Sequence, residues 1–101
     1  MVAKSVYEEV GGLDEGMAVS FNDIDFCLKL HRAGYRNVFV PRARLYHYES
    51  KSRGEDDTPA KVARAMEEAG TIRSRWPRWA TRDPYYNPNL TTDAEDFGLR
   101  L

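Results

Sequence analysis

The organisation of this chain follows from the stretch FNDIDFCLKL at residues 21–30 and from the Gly34 that comes after it. Asn22 is a favoured N-cap residue, two aspartates follow in the first helical turn, and glycine commonly ends a helix. We therefore predict a helix from Asn22 to Ala33. Its apolar residues cover more than one face, which indicates a helix that is buried on most sides.

The composition is that of one small globular domain. The chain has 101 residues, of which 42% are hydrophobic, and a formal net charge of −1. A chain without a basic excess lacks the field that attracts nucleic acid, so we expect no nucleic-acid partner. The one cysteine, Cys27, excludes an internal disulfide. Together with the lack of a signal pattern or an apolar run of about 20 residues, it favours a cytoplasmic protein.

Two more helices and two short strands complete the predicted elements. Gly11-Gly12 ends a first helix over Lys4 to Val10, and Thr58-Pro59 begins a third helix that Pro77 ends. The apolar and aromatic runs predict strands over Asn37 to Val40 and Arg44 to Glu49. The predicted fold class is α/β, with about three helices and two or three short strands, and an extended aromatic tail over residues 80–101.

The aspartates of the central helix have two interpretations. Acidic residues in a first turn stabilise a helix by ~0.3 to 1 kcal/mol through capping and the helix dipole, which alone explains Asp23 and Asp25. A carboxylate kept ionised at a helix start is also well placed to act as a general base. Asp23 is earlier in the turn and is the candidate catalytic residue.

A lone imidazole and a polar loop are the other candidate site groups. His47 lies on the second predicted strand, where it and Asp23 can face one cleft, although a packed or surface histidine is the alternative. An imidazole is tolerated by Mn²⁺, whereas Mg²⁺ prefers oxygen ligands. The Glu49 to Gly54 segment has the hydroxyls, guanidinium and glycine of a phosphate-contacting loop, and a solvated surface loop explains it equally well. Arginines interleaved with Trp76 and Trp79 fit a sugar, a partner surface or simple packing.

Several short motifs, taken in order, resemble the C-terminal half of a family 2 glycosyltransferase domain. They are Val10-Gly11-Gly12-Leu13-Asp14-Glu15, Phe21 to Leu28, Ala33-Gly34-Tyr35, Pro41, His47-Tyr48-Glu49-Ser50, Ser52-Arg53-Gly54, and a tail with Trp76 and Asp83 to Leu90. The resemblance implies a partial GT-A fold that lacks the N-terminal nucleotide-binding half. It also implies inverting transfer of a sugar from a nucleotide-diphosphate-sugar donor to a glycan or glycolipid acceptor, with Mn²⁺ or Mg²⁺ on the diphosphate, in bacterial surface polysaccharide synthesis.

The resemblance assigns roles to particular residues. Asp23 matches the catalytic base and His47 matches a histidine that helps to hold the metal, while Asn22 stands where the family often has an acidic residue. The substrate- or donor-binding residues that it implies are Asn22, Asp25, Glu49, Ser52 and Arg53. The family's Asp-x-Asp metal motif precedes the region that is matched here. We therefore expect the chain to be a fragment-like domain over residues 1–101, inactive alone, whose complete enzyme works at the inner face of the membrane and holds the metal.

Two other functions are compatible with these residues. The first is a non-catalytic module derived from such a domain, which forms a homodimer through exposed strand edges and apolar helix faces. The second is a small metal-dependent hydrolase that uses Asp23, Asp25 and His47, although this ligand set is sparse for a self-sufficient site. A mass that rises with protein concentration would favour the dimerising module.

Overall fold

Four α-helices joined by loops form the computed structural model of this protein, which describes residues 1–48, 58–94 and 96–100. The helices are α1 (Lys4–Glu9), α2 (Asn22–Arg32), α3 (Pro59–Arg75) and α4 (Pro77–Thr81). The three helices predicted from the sequence are confirmed. The short α4 was not predicted, because Pro77 ends α3 and also begins the next helix at its first position.

The ends of α2 differ slightly from the pattern in the sequence. Asn22 is the first helical residue rather than the N-cap, and Phe21 takes the cap position in a left-handed conformation with φ of 62°. Beyond the helix, Gly34 has φ of 93° and its backbone N–H donates to His31. The N–H of Tyr35 donates to the carbonyl of Leu30, so glycine allows the chain to close the last turn and leave the helix.

Helix α1 is fixed to α2 by one aromatic contact. The rings of Tyr7 and Phe26 lie 5.3 Å apart between centroids. The Tyr7 hydroxyl also accepts a hydrogen bond of 3.2 Å from the backbone N–H of Leu13, in the loop after α1. Gly12 passes close beside this ring with φ of 65°, and a Cβ atom there would lie 2.8 Å from the ring atoms. The turn between α1 and the following loop therefore requires glycine.

Helix α3 begins as the sequence predicts. The Thr58 side chain accepts a hydrogen bond of 3.3 Å from the backbone N–H of Lys61, and proline occupies the first turn. The N-cap bond satisfies a backbone donor that has no partner inside the helix. Trp76 follows the last residue of α3 and separates it from α4.

The predicted α/β fold class is wrong for the part of the chain that the structure describes. Residues 37–48 form no strand, and the one β pairing among the described residues is an isolated antiparallel bridge between Leu90 and Leu99 in the tail. A strand needs a neighbour to satisfy its backbone groups, and no described segment forms a β-bridge with residues 37–48. Phe39 and Tyr46 are each 88% exposed, so these two side chains are not part of a core.

The core contains unusually many charged groups for its size. Among the described residues, the buried hydrophobic side chains are Met17, Leu30 and Trp76, and the buried charged ones are Asp25 and Glu68. The radius of gyration is 15.5 Å, compared with roughly 13 Å for a compact domain of 100 residues. Polar contacts must therefore contribute much of what holds the helices together. No helix in the described ranges combines the length and the apolar character needed to cross a bilayer.

Candidate active site

Asp23 lies on the surface in the first turn of α2. One of its carboxylate oxygens accepts a hydrogen bond of 2.8 Å from the backbone N–H of Ile24, and the side chain makes no ion pair with a described residue. The N-terminal end of a helix favours negative charge at this position. The charge also acts on the next turn, where burial and, to a lesser extent, Asp23 raise the pKa of the Cys27 thiol. Asp23 is thus an accessible carboxylate on a helix start.

Asp25, two residues further on, has the opposite environment. Its exposure is 0%, and its Oδ1 accepts hydrogen bonds from Trp76 Nε1 at 2.8 Å and from Arg75 Nη1 at 3.0 Å. Its other oxygen lies 3.7 Å from the ammonium group of Lys29. Asp25 therefore attaches the start of α2 to the end of α3. The substrate-contacting role that the resemblance implied for it stays a prediction.

Arg75 extends this connection to the loop before α2. The same Nη1 atom that contacts Asp25 donates to a carboxylate oxygen of Asp14 at 2.7 Å. The hydrogen bond from Arg75, assisted by one from the backbone of Gly16, lowers the pKa of the Asp14 carboxyl, and the two carboxylates raise the pKa of the guanidinium. One charge network thus joins the loop before α2, the start of α2 and the end of α3, and it extends from the buried Asp25 to the surface.

Glu68 holds the residues that lead into Asp23. This side chain on α3 is 4% exposed, and its two oxygens accept hydrogen bonds from the backbone N–H groups of Val19, at 3.4 Å, and Ser20, at 2.6 Å. A carboxylate bound to backbone donors in a buried position is a strong acceptor. Glu68 therefore fixes the turn in which Phe21 adopts its left-handed conformation and from which α2 starts.

The other predicted site residues are distributed along the chain. Asn22 is half-buried at the start of α2, and His47 is exposed on the extended segment between Tyr46 and Tyr48, whose rings stack with centroids 6.3 Å apart. No contact among the described residues joins His47 to Asp23. Glu49, Ser52 and Arg53 lie outside the described residues.

The described residues alone do not form a metal site. No group of three or more histidine, cysteine, aspartate or glutamate side chains converges within the described ranges. His47 offers one imidazole, and the Glu49 predicted near it falls outside those ranges. The role of His47 as a metal ligand stays a prediction.

The sequence interpretation missed the residues that position Asp23. The residues that were not assigned to the site are Glu68, Arg75, Trp76 and Asp14. Charged side chains are usually solvent-exposed, and the contacts of these residues join parts of the chain that are far apart in sequence. One signal was available: Glu68 and Arg75 are seven residues apart, which places both on one side of α3. Their common face is the one that meets the loop before α2.

Comparison with known proteins gives three informative relatives. The chain is 47% identical over 100 residues to an uncharacterised protein of Sinorhizobium fredii, which covers 98% of this chain and 11% of that protein. It is 35% identical over 102 residues to the O-antigen biosynthesis protein RfbC of Myxococcus xanthus, and the alignment covers 99% of this chain and 8% of RfbC. Over 56 residues it is 36% identical to the N-acetylglucosaminyl-diphospho-decaprenol L-rhamnosyltransferase of Mycobacterium tuberculosis. This alignment covers 55% of this chain and 18% of that protein.

These similarities establish a relationship at a coarse level. The chain spans about a tenth of the length of the first two relatives. No protein-family model matches the chain, and no solved structure matches it. The names of the relatives support a relationship to glycosyltransferases and to polysaccharide biosynthesis.

Proposed function

We propose that this chain is the acceptor-side part of an inverting glycosyltransferase of family 2, with Asp23 as its catalytic base. The observation that carries the proposal is the contrast within one helical turn. Asp23 is exposed and free of ion pairs with described residues, while Asp25 and Glu68 are buried and hold that turn in place. A general base must be accessible and held in place by the surrounding structure, and this contrast supports that role for Asp23.

The reaction is the one that the resemblance implies, with Asp23 as the base. Asp23 takes the proton from an acceptor hydroxyl as the hydroxyl oxygen bonds to the anomeric carbon of the donor sugar. The bond from that carbon to the diphosphate breaks on the opposite face, the nucleoside diphosphate leaves, and the configuration inverts. Positive charge develops on the sugar ring in the transition state, by analogy with glycoside hydrolysis.

The remaining components of the proposal come from the resemblance. The complete enzyme has a GT-A fold, and its nucleotide-binding half supplies the donor contacts. If Mn²⁺ or Mg²⁺ is bound there, His47 would be among its ligands, and the ion would supply positive charge to the diphosphate. The residues proposed to bind the substrate or the donor are Asn22, Asp25, Glu49, Ser52 and Arg53. The acceptor is a glycan or glycolipid, and the enzyme acts in the cytoplasm at the inner face of the membrane.

The test is glycosyl transfer by the chain extended at its N-terminus with the nucleotide-binding half of a related glycosyltransferase. General bases contribute roughly 10²- to 10⁴-fold, so Asp23→Asn should lower kcat by that factor with the fold retained by circular dichroism. Glu15→Gln is the matched control, since Glu15 is another exposed carboxylate close in sequence. Equal rates for the two variants would refute the assignment of Asp23, as would equal rates for the extended protein and the chain alone.

A second candidate function is supported by the exposed segment after α2. Apolar and aromatic side chains are largely exposed there, namely Val38, Phe39, Val40, Leu45, Tyr46 and Tyr48. An exposed, extended apolar segment favours pairing with another chain. Under this alternative the chain is a non-catalytic module that dimerises. Its mass in sedimentation would double with rising concentration, and a monomer at all concentrations would exclude it.

A further inference from the structure

A cleft of about 1750 Å³ lies between the C-terminal half of α2, helix α4 and the tail. The residues that line it include Leu28 and Arg32 of α2, Trp79 of α4, and Tyr85 of the tail. Asp23 is not among the lining residues. The part of α2 that lines the cleft begins at Leu28, roughly 7.5 Å along the helix axis from Asp23 at the usual rise of about 1.5 Å per residue. The cleft is therefore distinct from the candidate base, and it shares Trp76, the partner of Asp25, with the network behind that base.

Aromatic rings form one wall of this cleft. The Trp79 ring stacks against Tyr85, with centroids 6.4 Å apart and planes at 20°, and the edge of His31 meets it at 5.1 Å. Tyr85 is 84% exposed. The Trp79 indole N–H donates to no acceptor in the described part of the chain. An open aromatic face with a free donor at its edge suits a ligand that is apolar on one face and hydroxylated at its rim.

The charges at the cleft are mostly positive. Its described lining residues include four arginines, Arg32, Arg78, Arg82 and Arg100, and one carboxylate, Asp83. Arg32 lies over the Trp76 ring, 4.8 Å from its centroid, and the other three arginines form no ion pair with a described residue. Guanidinium groups bind carboxylates and phosphates through charge-assisted hydrogen bonds. The lining is therefore complementary to an anion.

The one carboxylate helps to separate two kinds of ligand. Asp83 Oδ1 accepts a hydrogen bond of 2.8 Å from the backbone N–H of Tyr85, and its second oxygen accepts no hydrogen bond from a described residue. A carboxylate in the lining repels anionic groups of any kind, so it favours a ligand that also presents hydroxyl donors. Sugar hydroxyls are donors that a carboxylate binds well.

We propose that this cleft binds an acidic saccharide, with a sugar ring on the face of Trp79 and Tyr85 and its carboxylate or phosphate group on Arg78 and Arg82. The site is distinct from the reaction centre and does not depend on the glycosyl transfer proposed above. It would hold a charged glycan chain beside the enzyme.

The two tryptophans of the chain allow a direct test by ¹H–¹⁵N NMR. Both tryptophans line the cleft, but the indole N–H of Trp76 is committed to Asp25 while that of Trp79 has no acceptor among the described residues. Trigalacturonic acid should therefore shift the Trp79 signal more. Neutral maltotriose, titrated in parallel, should bind at least about tenfold more weakly, since it lacks the charge-assisted contacts. Glucose 1-phosphate distinguishes a phosphate from a carboxylate as the preferred anionic group.

Variants locate the binding without perturbing the core. Arg82→Gln and Tyr85→Ala change exposed cleft residues and should each weaken binding by about tenfold. Arg73→Gln removes an equal charge from an exposed site outside the cleft lining and should leave affinity unchanged, as should Asp23→Asn. The proposal is overturned if maltotriose binds as tightly as the acid, if neither acidic sugar binds, or if a thymidine oligonucleotide binds more tightly than either.

Discussion

Replacing Asp25 tests whether a buried carboxylate holds α2 to α3. The Asp25→Ala change removes the acceptor for Trp76 Nε1 and Arg75 Nη1 and the partner of Lys29, in a position with 0% exposure. The indole N–H is left buried without an acceptor, and the partly exposed Lys29 and Arg75 lose a counter-charge. Leaving a buried donor unsatisfied costs about 1 to 3 kcal/mol, which is a considerable part of the ~5 to 15 kcal/mol that stabilises a typical domain.

The same turn of α2 provides the matched control. Asp23→Ala removes an exposed carboxylate with the same relation to the helix dipole, and it should lower the free energy of unfolding by only ~0.3 to 1 kcal/mol. Asp25→Asn keeps the shape of the side chain and loses its charge, so its cost should be between these two. Urea unfolding followed by far-ultraviolet circular dichroism gives the three free energies, provided that the m-values agree.

A double-mutant cycle assigns part of this cost to one hydrogen bond. Trp76→Phe keeps an aromatic ring at the position and removes the donor to Asp25. The coupling energy between Asp25→Ala and Trp76→Phe should be roughly 0.5 to 3 kcal/mol. If Asp25→Ala destabilises the protein no more than Asp23→Ala does, or if the coupling is zero, Asp25 does not connect the two helices as described.

Two further predictions concern the loop between α1 and α2. Gly12→Ala should destabilise the fold by about 1 to 2 kcal/mol, because the φ of Gly12 is positive and the new methyl group would meet the Tyr7 ring at 2.8 Å. The control is Gly70→Ala in α3, where the space around the glycine is open, and it should stabilise the fold by ~0.5 to 1 kcal/mol. Thermal unfolding compares the two variants. The hydrogen bond from Arg75 holds the folded-state pKa of Asp14 below its ordinary 3.8. The stability that this bond adds is therefore present above pH of about 4 and is lost as the pH falls through the lower pKa of the folded state. In acid titrations, the free energy of unfolding of Asp14→Asn should lack this part of the decline.

The sequence was sufficient to predict the three longer helices, because the residues at their ends determine where they begin and end. Gly12 and Gly34 take positive φ, and Thr58 caps α3 through its own side chain. The strands were predicted from equally local signals, but a strand exists only when a second segment lies beside it. That condition depends on distant parts of the chain, and residues 37–48 do not meet it in the described structure.

The candidate site was predictable only in its exposed part. The position of Asp23 at a helix start follows from the residues around it. The burial of Asp25 and Glu68 does not, because hydropathy patterns assign carboxylates to the surface. The apolar side chain of Met66 on α3, in contrast, is 71% exposed. Which face of α3 is covered was decided by the loop that Glu68 binds, and this contact joins residues far apart in sequence.

The attachment of the turn before α2 can be measured directly at the backbone amide of Ser20. Its N–H donates to Glu68 at 2.6 Å, so amide hydrogen exchange there should be protected in the intact chain. Glu68→Ala should accelerate that exchange roughly ten- to hundredfold, as expected for loss of a hydrogen bond to a charged group, while amides in the middle of α3 stay protected. Glu67→Ala, at the exposed neighbouring position, should have no such effect. Exchange of the Ser20 amide at the rate of an unstructured chain in the intact protein would contradict the proposal that buried carboxylates fix the turn carrying Asp23.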